Sequence, residues 1–262
     1  MPPFREPHRV RFDRIANFRD LGGHTTREGA RVRRDLLFRS GHLGHASDAD
    51  IEKLAALRIQ RVFDFRNLAD IDSDGADRLP DGIRHHRLPM PDRAAAEDLR
   101  TLIGGTTPDE MEALFGNGRA AAMMVDAAAE LVRDRCEAFA EFLAELARPE
   151  SLPALFHCSA GKDRAGWAGT VVLLALGVDE DQVIEQYLLS NQNLDAISKS
   201  VETTGDANWA GTLRPFLEVR REYIESSFAA MRNDWGSFDR YLAEGLGISG
   251  EQRAQLRESL LE

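Results

Sequence analysis

A chain of 262 residues, 43% hydrophobic and 29% charged, is long enough for one sizeable core and too ordinary in composition for a disordered or fibrous protein. Its net charge of −11 argues against nucleic acid or an anionic membrane as a bulk electrostatic partner. Two cysteines give no disulfide framework, no apolar run reaches the ~18 residues of a membrane span, and MPPFREPHRV has no apolar signal core, so a cytoplasmic protein without an integral membrane segment is expected.

In chain order, Arg5, Arg9, Arg11, Arg14 and Arg19 crowd the start, as a solvated face or an anion-attracting rim. Ser47-Asp48-Ala49-Asp50 reads as a cap on a helix carrying Ile51, Leu54 and Ala55. A strand follows from Ile59 to Phe65, then a polar stretch with Asp70, Asp72, Asp74 and Asp77. Ile83 to Leu88 reads as another strand, halted at Pro89 and Pro91. Residues 92–119 alternate charge and glycine and read as a mobile excursion, and Met123 to Leu146 reads as one long amphipathic helix. Cys136 shares its stripe with Val132, Phe139 and Leu143, as a core residue does. Near the end, Asp179 with Gln182 and Ser249 with Gln252 are spaced as capping boxes. Strands alternating with helices indicate an α/β fold with a parallel or mixed sheet flanked by helices.

The segment HCSAGKDRAG, 157–166, carries the chemistry. The apolar run Pro153 to Phe156 leads in, and the apolar pattern Trp167 to Leu176, stopped by Gly177, leads out. That is strand, tight loop and helix start. Backbone N–H groups in such a loop form a concave anion site, strengthened by the positive end of the helix. Gly161 supplies positive φ for the turn, and Gly166 admits close helix packing. Arg164 offers a planar fork that matches two phosphate oxygens, and the same field favours the thiolate of Cys158, a nucleophile. A cysteine six residues before an arginine is weak by itself; Cys136, with Phe142 at that offset, fails it, and the flanking strand and helix add the specificity.

These residues resemble the cysteine-dependent protein tyrosine phosphatase superfamily, and His157-Cys158-Ser159-Ala160-Gly161-Lys162-Asp163-Arg164 is similar to its bacterial branch with an H-C-x-x-G-K-D-R loop. Further matching blocks are Ala16 to Gly23 (with Asn17, Arg19 and Asp20), Leu37 to Ser40, Val62 to Arg66, and Trp235 to Leu242 with Leu246-Gly247. The resemblance spans nearly the whole chain. It implies one phosphatase domain over 1–262, with a central, mostly parallel sheet flanked by helices as in tyrosine and dual-specificity phosphatases. It also implies a helical lid over 188–232, where Phe216, Leu217, Tyr223, Ile224, Phe228 and Met231 make an apolar face; a helix packed permanently on the core is the alternative. Ala165 departs from the branch, which usually has Thr or Ser there to help the sulfur leave.

The implied reaction has two covalent steps. Cys158 attacks phosphorus, Arg164 and the amides of Ser159, Ala160, Gly161, Lys162 and Asp163 hold the oxygens, and water then hydrolyses the cysteinyl-phosphate. An acid must protonate the leaving oxygen; the resemblance points to Asp163, with Asp64 and then Asp92 as alternatives, and Asp163 could instead only pair with Arg164 or Lys162. His157, Asp64, Arg19 and Asp20 are expected to support the loop. Lys162 is a cation of the kind inositide-directed phosphatases carry. No metal or cofactor is expected, since adjacent His85 and His86 point to opposite faces of a strand. Expected partners are a phosphorylated protein or a phosphoinositide substrate. The competing readings are a phosphate-binding module with little turnover and a thiol redox or sulfur-transfer enzyme. Export without a signal, as relatives of the branch show, stays open.

Overall fold

The computed structural model describes residues 11–91, 107–193 and 207–262. Five strands form one sheet: β1 (Arg19–Asp20), β2 (Leu37–Ser40), β3 (Arg61–Asp64), β4 (Arg84–Arg87) and β5 (Ala154–His157). Their spatial order is β1-β2-β5-β3-β4, with β1 antiparallel to β2 and every other pair parallel. β5 is central, and its last residue, His157, is in register with Ser40 of β2 and Asp64 of β3. Three loops therefore leave the carboxyl edge of the sheet side by side, where open parallel sheets place their ligand sites.

Side chains alternate across the sheet, as the two-residue period of a strand requires. Phe38, Val62 and Leu155 face a smaller cluster with Ile15, Leu43, Leu54 and Ile59 beneath α1 (Asp48–Ala56). Leu37, Phe63, Ala154 and Phe156 face the larger core with Phe139, Phe142 and Leu143 of α5 (Cys136–Leu146) and the helix that follows β5. That helix, α6 (Arg164–Leu176), is buried at every residue and ends with Gly177 in the left-handed region. After it come α7 (Glu180–Leu188), α8 (Ala207–Leu217), α9 (Arg221–Trp235) and α10 (Gly250–Leu260).

The Ser47 and Ser249 capping boxes form as the spacing predicts. Other elements differ. The Asp-rich stretch contains a helix, α2 (Leu68–Asp74), with its own box between Asn67 and Asp70. Within 92–119, residues 107–118 are ordered around α3 (Pro108–Phe115), capped by Thr107 and Glu110, while 92–106 lie outside the described residues. The long helix over 123–146 is two, α4 (Arg119–Asp134) and α5, broken at Arg135. The Asp179–Gln182 box does not form: the Asp179 carboxylate accepts from Arg27 Nε, and Gln182 Nε2 donates to the carbonyl of Thr25.

The apolar face expected over 216–231 divides between two clusters. Leu213, Phe216 and Tyr223 join Met111, Phe115, Ala120 and Met124 in a separate cluster with α3 and α4. Ile224, Phe228 and Met231 of α9 belong to the main core, where Phe228 meets Trp167 edge-on at 5.8 Å. Among the described residues, no helix is long and apolar enough to cross a membrane.

Candidate active site

The loop from Cys158 to Asp163 joins β5 directly to the N-terminus of α6. Its shape rests on glycine. Gly161 has φ +68°, and a Cβ there would lie 2.2 Å from the carbonyl oxygen of Ser40. Gly166 accommodates the ring of Tyr187, 2.9 Å from where its Cβ would be, which seats α7 against α6.

The loop's carbonyl groups are turned away from its inner face and each has a donor. The N–H of His42 donates to Ser159 O at 2.9 Å, and Asn17 Nδ2 donates to Ala160 O at 3.2 Å and Gly161 O at 2.9 Å. Arg39 Nη2 donates to Gly161 O at 2.5 Å and Lys162 O at 3.3 Å. Asn17 is in turn held by Arg19, whose Nη1 donates to its Oδ1 at 2.5 Å and whose Nη2 reaches Ser190 Oγ and Gln186 O. A peptide whose C=O points outward presents its N–H inward. Among the described residues, no hydrogen bond engages the N–H groups of Ser159 to Asp163.

Cys158 sits at the start of this cradle, 2% exposed. Arg164, at the first turn of α6, is anchored by Nη1 to three acceptors: Asp70 Oδ2 at 2.5 Å, Met90 O at 3.2 Å and Phe65 O at 3.3 Å. Burial alone would raise the Asp70 carboxyl, but the Arg164 guanidinium against it outweighs that and holds it below the ordinary value. Asp70 escapes a reading of the sequence as a site residue because it lies 94 positions from Arg164. Its local sign was the Asn67–Asp70 box, which fixes the carboxylate that Arg164 meets.

The other expected residues fall as follows. Lys162 Nζ pairs with Asp163 Oδ2 at 2.8 Å, and the Asp163 side chain is 27% exposed. Asp163 also lines a pocket between helices with Met124, Leu131, Trp167, Tyr187 and Ile224. Asp64 is fully buried, with Arg66 Nε and Nη2 on its two oxygens at 3.0 Å each. His157 Nε2 and His85 Nε2 converge on Asp77 Oδ2 at 2.9 and 3.1 Å, while Arg66 takes Asp77 Oδ1 at 2.7 Å. Burial would raise Asp77, but its bonds to His157 and His85 hold it well below the carboxylate range. The Asp20 oxygens accept from the N–H groups of Gly22 and Asp35, a turn remote from the loop carbonyls, and burial raises its carboxyl. Ala165 is buried. Asp92, Arg5 and Arg9 lie outside the described residues.

His85 and His86 do point apart, His86 meeting Glu141 at 2.8 Å. The fold nevertheless gives His85 the partners that sequence spacing hides: Asp64, Asp77, His85 and His157 bring ligand-type atoms within 4.8 Å of one another. The Arg66 guanidinium already pairs with both carboxylates of that cluster.

The tyrosine phosphatase family profile matches residues 10–262. The chain is 35% identical to a Cupriavidus necator protein named provisionally as a tyrosine-protein phosphatase, over 94% of this chain and 86% of that one. It is 30% identical to the triple specificity protein phosphatase PtpB of Mycobacterium tuberculosis, over 94% of this chain and 96% of that one. A tyrosine-protein phosphatase of Nostoc commune is 25% identical, over 86% of this chain and 74% of that one. With the family matched across nearly its whole length and a cysteine, an outward-turned loop and an anchored arginine at the carboxyl edge of its sheet, the chain belongs to the tyrosine phosphatase family and is a phosphatase.

Proposed function

We propose that the chain is one phosphatase domain in which the loop 158–163 binds the phosphoryl group of a phosphotyrosine side chain and Cys158 accepts it. The observation that carries this is the cradle itself: loop carbonyls tied outward, amides inward, the nucleophile at one end and an anchored guanidinium at the other. With Nη1 of Arg164 fixed, the planarity of the guanidinium fixes Nε and Nη2, the edge that meets two equatorial oxygens. Positive charge held where the transition state gathers negative charge lowers the barrier. In the first step the P–O bond to the leaving group breaks as the S–P bond forms, and the leaving oxygen takes a proton. In the second, water attacks phosphorus and releases the thiolate.

Asp163 suits the acid role. It is partly exposed and shared between the loop and the interhelical pocket, whereas both oxygens of Asp64 are committed to Arg66. In the resting site Lys162 pairs with Asp163; an arriving phosphate dianion competes for that cation and frees the carboxyl group to face the leaving oxygen. The walls beside Asp163 are Met124, Ala127, Ala128, Leu131, Trp167 and Ile224, with only Tyr187 and Ser227 polar. That lining suits an aromatic ring better than a polyhydroxylated, polyphosphorylated one, and it supports reading phosphotyrosine ahead of phosphoserine, phosphothreonine and phosphoinositides. PtpB, by its name, has three specificities.

Cys158 is almost fully covered, and a helical lid that opens would admit substrate to it. Of the segment 188–232, α8 is the part suited to move, since it packs in the separate cluster with α3 and α4, while α9 is fixed to the main core. Ala165 offers no hydroxyl to the departing sulfur, and slow breakdown of the phosphoenzyme is its consequence. The purified protein should release phosphate from p-nitrophenyl phosphate in metal-free buffer and rank a phosphotyrosine peptide above phosphoserine peptides and phosphatidylinositol phosphates. No release there would overturn the phosphatase reading, and a preference for the inositides would overturn the substrate assignment.

A further inference from the structure

Behind the loop lies a buried charge with no carboxylate paired to it among the described residues. Arg39, the third residue of β2, is wholly buried. Its Nη2 serves the carbonyls of Gly161 and Lys162, its Nη1 donates to Gln186 Oε1 at 3.2 Å, and its Nε has no acceptor. Among the described residues, no carboxylate lies within ion-pair distance of it. The guanidinium lies against the start of α6, in ordinary van der Waals range of where a Cβ on Gly166 or Gly169 would sit, 3.5 and 3.6 Å from its terminal nitrogens.

A buried cation without a counterion is costly, and proteins ordinarily pair it. Burial draws the Arg39 guanidinium down to about 10, which leaves it protonated at neutral pH, and the negative groups that act on it are Cys158, Tyr187 and Asp163. Two other buried arginines beside the loop are paired: Arg164 has Asp70, and Arg66 has Asp64 and Asp77.

We propose that Arg39 is a positioning residue whose uncompensated charge, placed against the back of the 158–163 loop, stabilises the Cys158 thiolate and the bound phosphoryl group while its donors keep the Gly161 and Lys162 carbonyls turned outward. This rests on the phosphatase reading above. The anion that completes the site is thus the nucleophile and then the substrate, and the fold carries the cost of the bare cation in the empty state. A helix N-terminus alone supplies only partial charge; Arg39 adds a full one from the side that substrate never touches.

Gln186→Glu tests this without disturbing Arg39 itself. It sets a carboxylate where Oε1 now meets Nη1, and the Gln186 Nε2 it removes has no hydrogen-bond partner. A merely structural Arg39 would gain an ion pair and lose nothing. The charge role predicts instead that Gln186→Glu, folded and no less heat-stable than the parent, binds inorganic phosphate about tenfold more weakly. At an effective dielectric of about 20, neutralising a unit charge has an effect of that size even from about 12 Å away. Alkylation of Cys158 by iodoacetamide at pH 6, followed by peptide mass spectrometry, should slow by a similar factor, with Cys136 as the internal control. Arg39→Gln should act in the same direction, and Arg39→Lys should recover Cys158 alkylation to within about threefold of the parent. Phosphate affinity and Cys158 alkylation within about twofold of the parent in folded Gln186→Glu would overturn the inference. Failure of the parent itself to bind phosphate would instead overturn the phosphatase reading on which it rests.

Discussion

Replacing Asp70 with asparagine removes a buried carboxylate from Arg164 while keeping an oxygen to cap α2. The pair is 2.5 Å long with both side chains 4% exposed, so water does little to soften its loss. Removing one partner of a buried ion pair typically costs about 3–5 kcal/mol. Here Nη1 keeps the carbonyls of Phe65 and Met90, and the asparagine amide oxygen remains an acceptor, so a loss of about 2 kcal/mol is the expected value. In catalysis the asymmetry between constants matters most. Losing the anchor lets the guanidinium swing, and misplacement on the ångström scale costs up to about 10²-fold in rate. Losing the carboxylate also removes a competitor for the cation, which offsets part of any loss in anion affinity. The expected result is kcat down by about 10–100-fold with the phosphate dissociation constant within about threefold of the parent, read by steady-state kinetics and equilibrium phosphate binding. The stability difference has a pH signature. Because the folded carboxyl is held below its ordinary 3.8, its contribution is complete above that value and disappears as pH falls through the depressed one, so parent and variant should converge in urea unfolding at the acid end. A stability loss with unchanged kcat would refute the argument that Asp70 positions Arg164.

Three further outcomes follow from the geometry. Asp163→Asn should slow hydrolysis of alkyl phosphates by about 10²–10⁴-fold and of p-nitrophenyl phosphate far less, since a good leaving group needs little protonation; leaving-group dependence in Asp64→Asn instead would transfer the acid role. His24 is buried, and that burial brings it down to about 4 from 6.5, so folding stability should fall as pH drops from about 6.5 to 4, where only the unfolded chain takes up the proton; His24→Gln should flatten that slope in thermal melts, and an unchanged slope would contradict it. Hydrogen exchange should be faster in α8 than in α9 and should slow in α8 when vanadate is bound; equal, ligand-independent protection in both helices would rule out a lid.

Local signals in the sequence survived folding, and distant ones did not announce themselves. The Ser47 box, the strand through Val62, the left-handed Gly161 and Gly177 and the long apolar run of α6 each depend on residues within a turn or two, so the pattern contains them. The break at Arg135 was hidden because the apolar stripe continues from Val132 to Phe139 across it. Asn17 and Arg39 carry no mark of their roles and Asp70 only its capping box, since each acts on a partner more than 90 residues away and only the sheet order β2-β5-β3 brings them together. The same order assembles His157, Asp77, His85 and Arg66, which a search by spacing leaves scattered.

The covalent step is the centre of the account, and it leaves a directly observable species. Rapid acid quench of the protein turning over p-nitrophenyl phosphate in metal-free buffer, followed by peptide mass spectrometry, should find one phosphoryl group on the peptide bearing Cys158, accumulating because Ala165 leaves the second step slow, and absent in Cys158→Ser. Steady turnover with no phosphoryl group on Cys158, or with the Cys158→Ser protein retaining that turnover, would contradict the account.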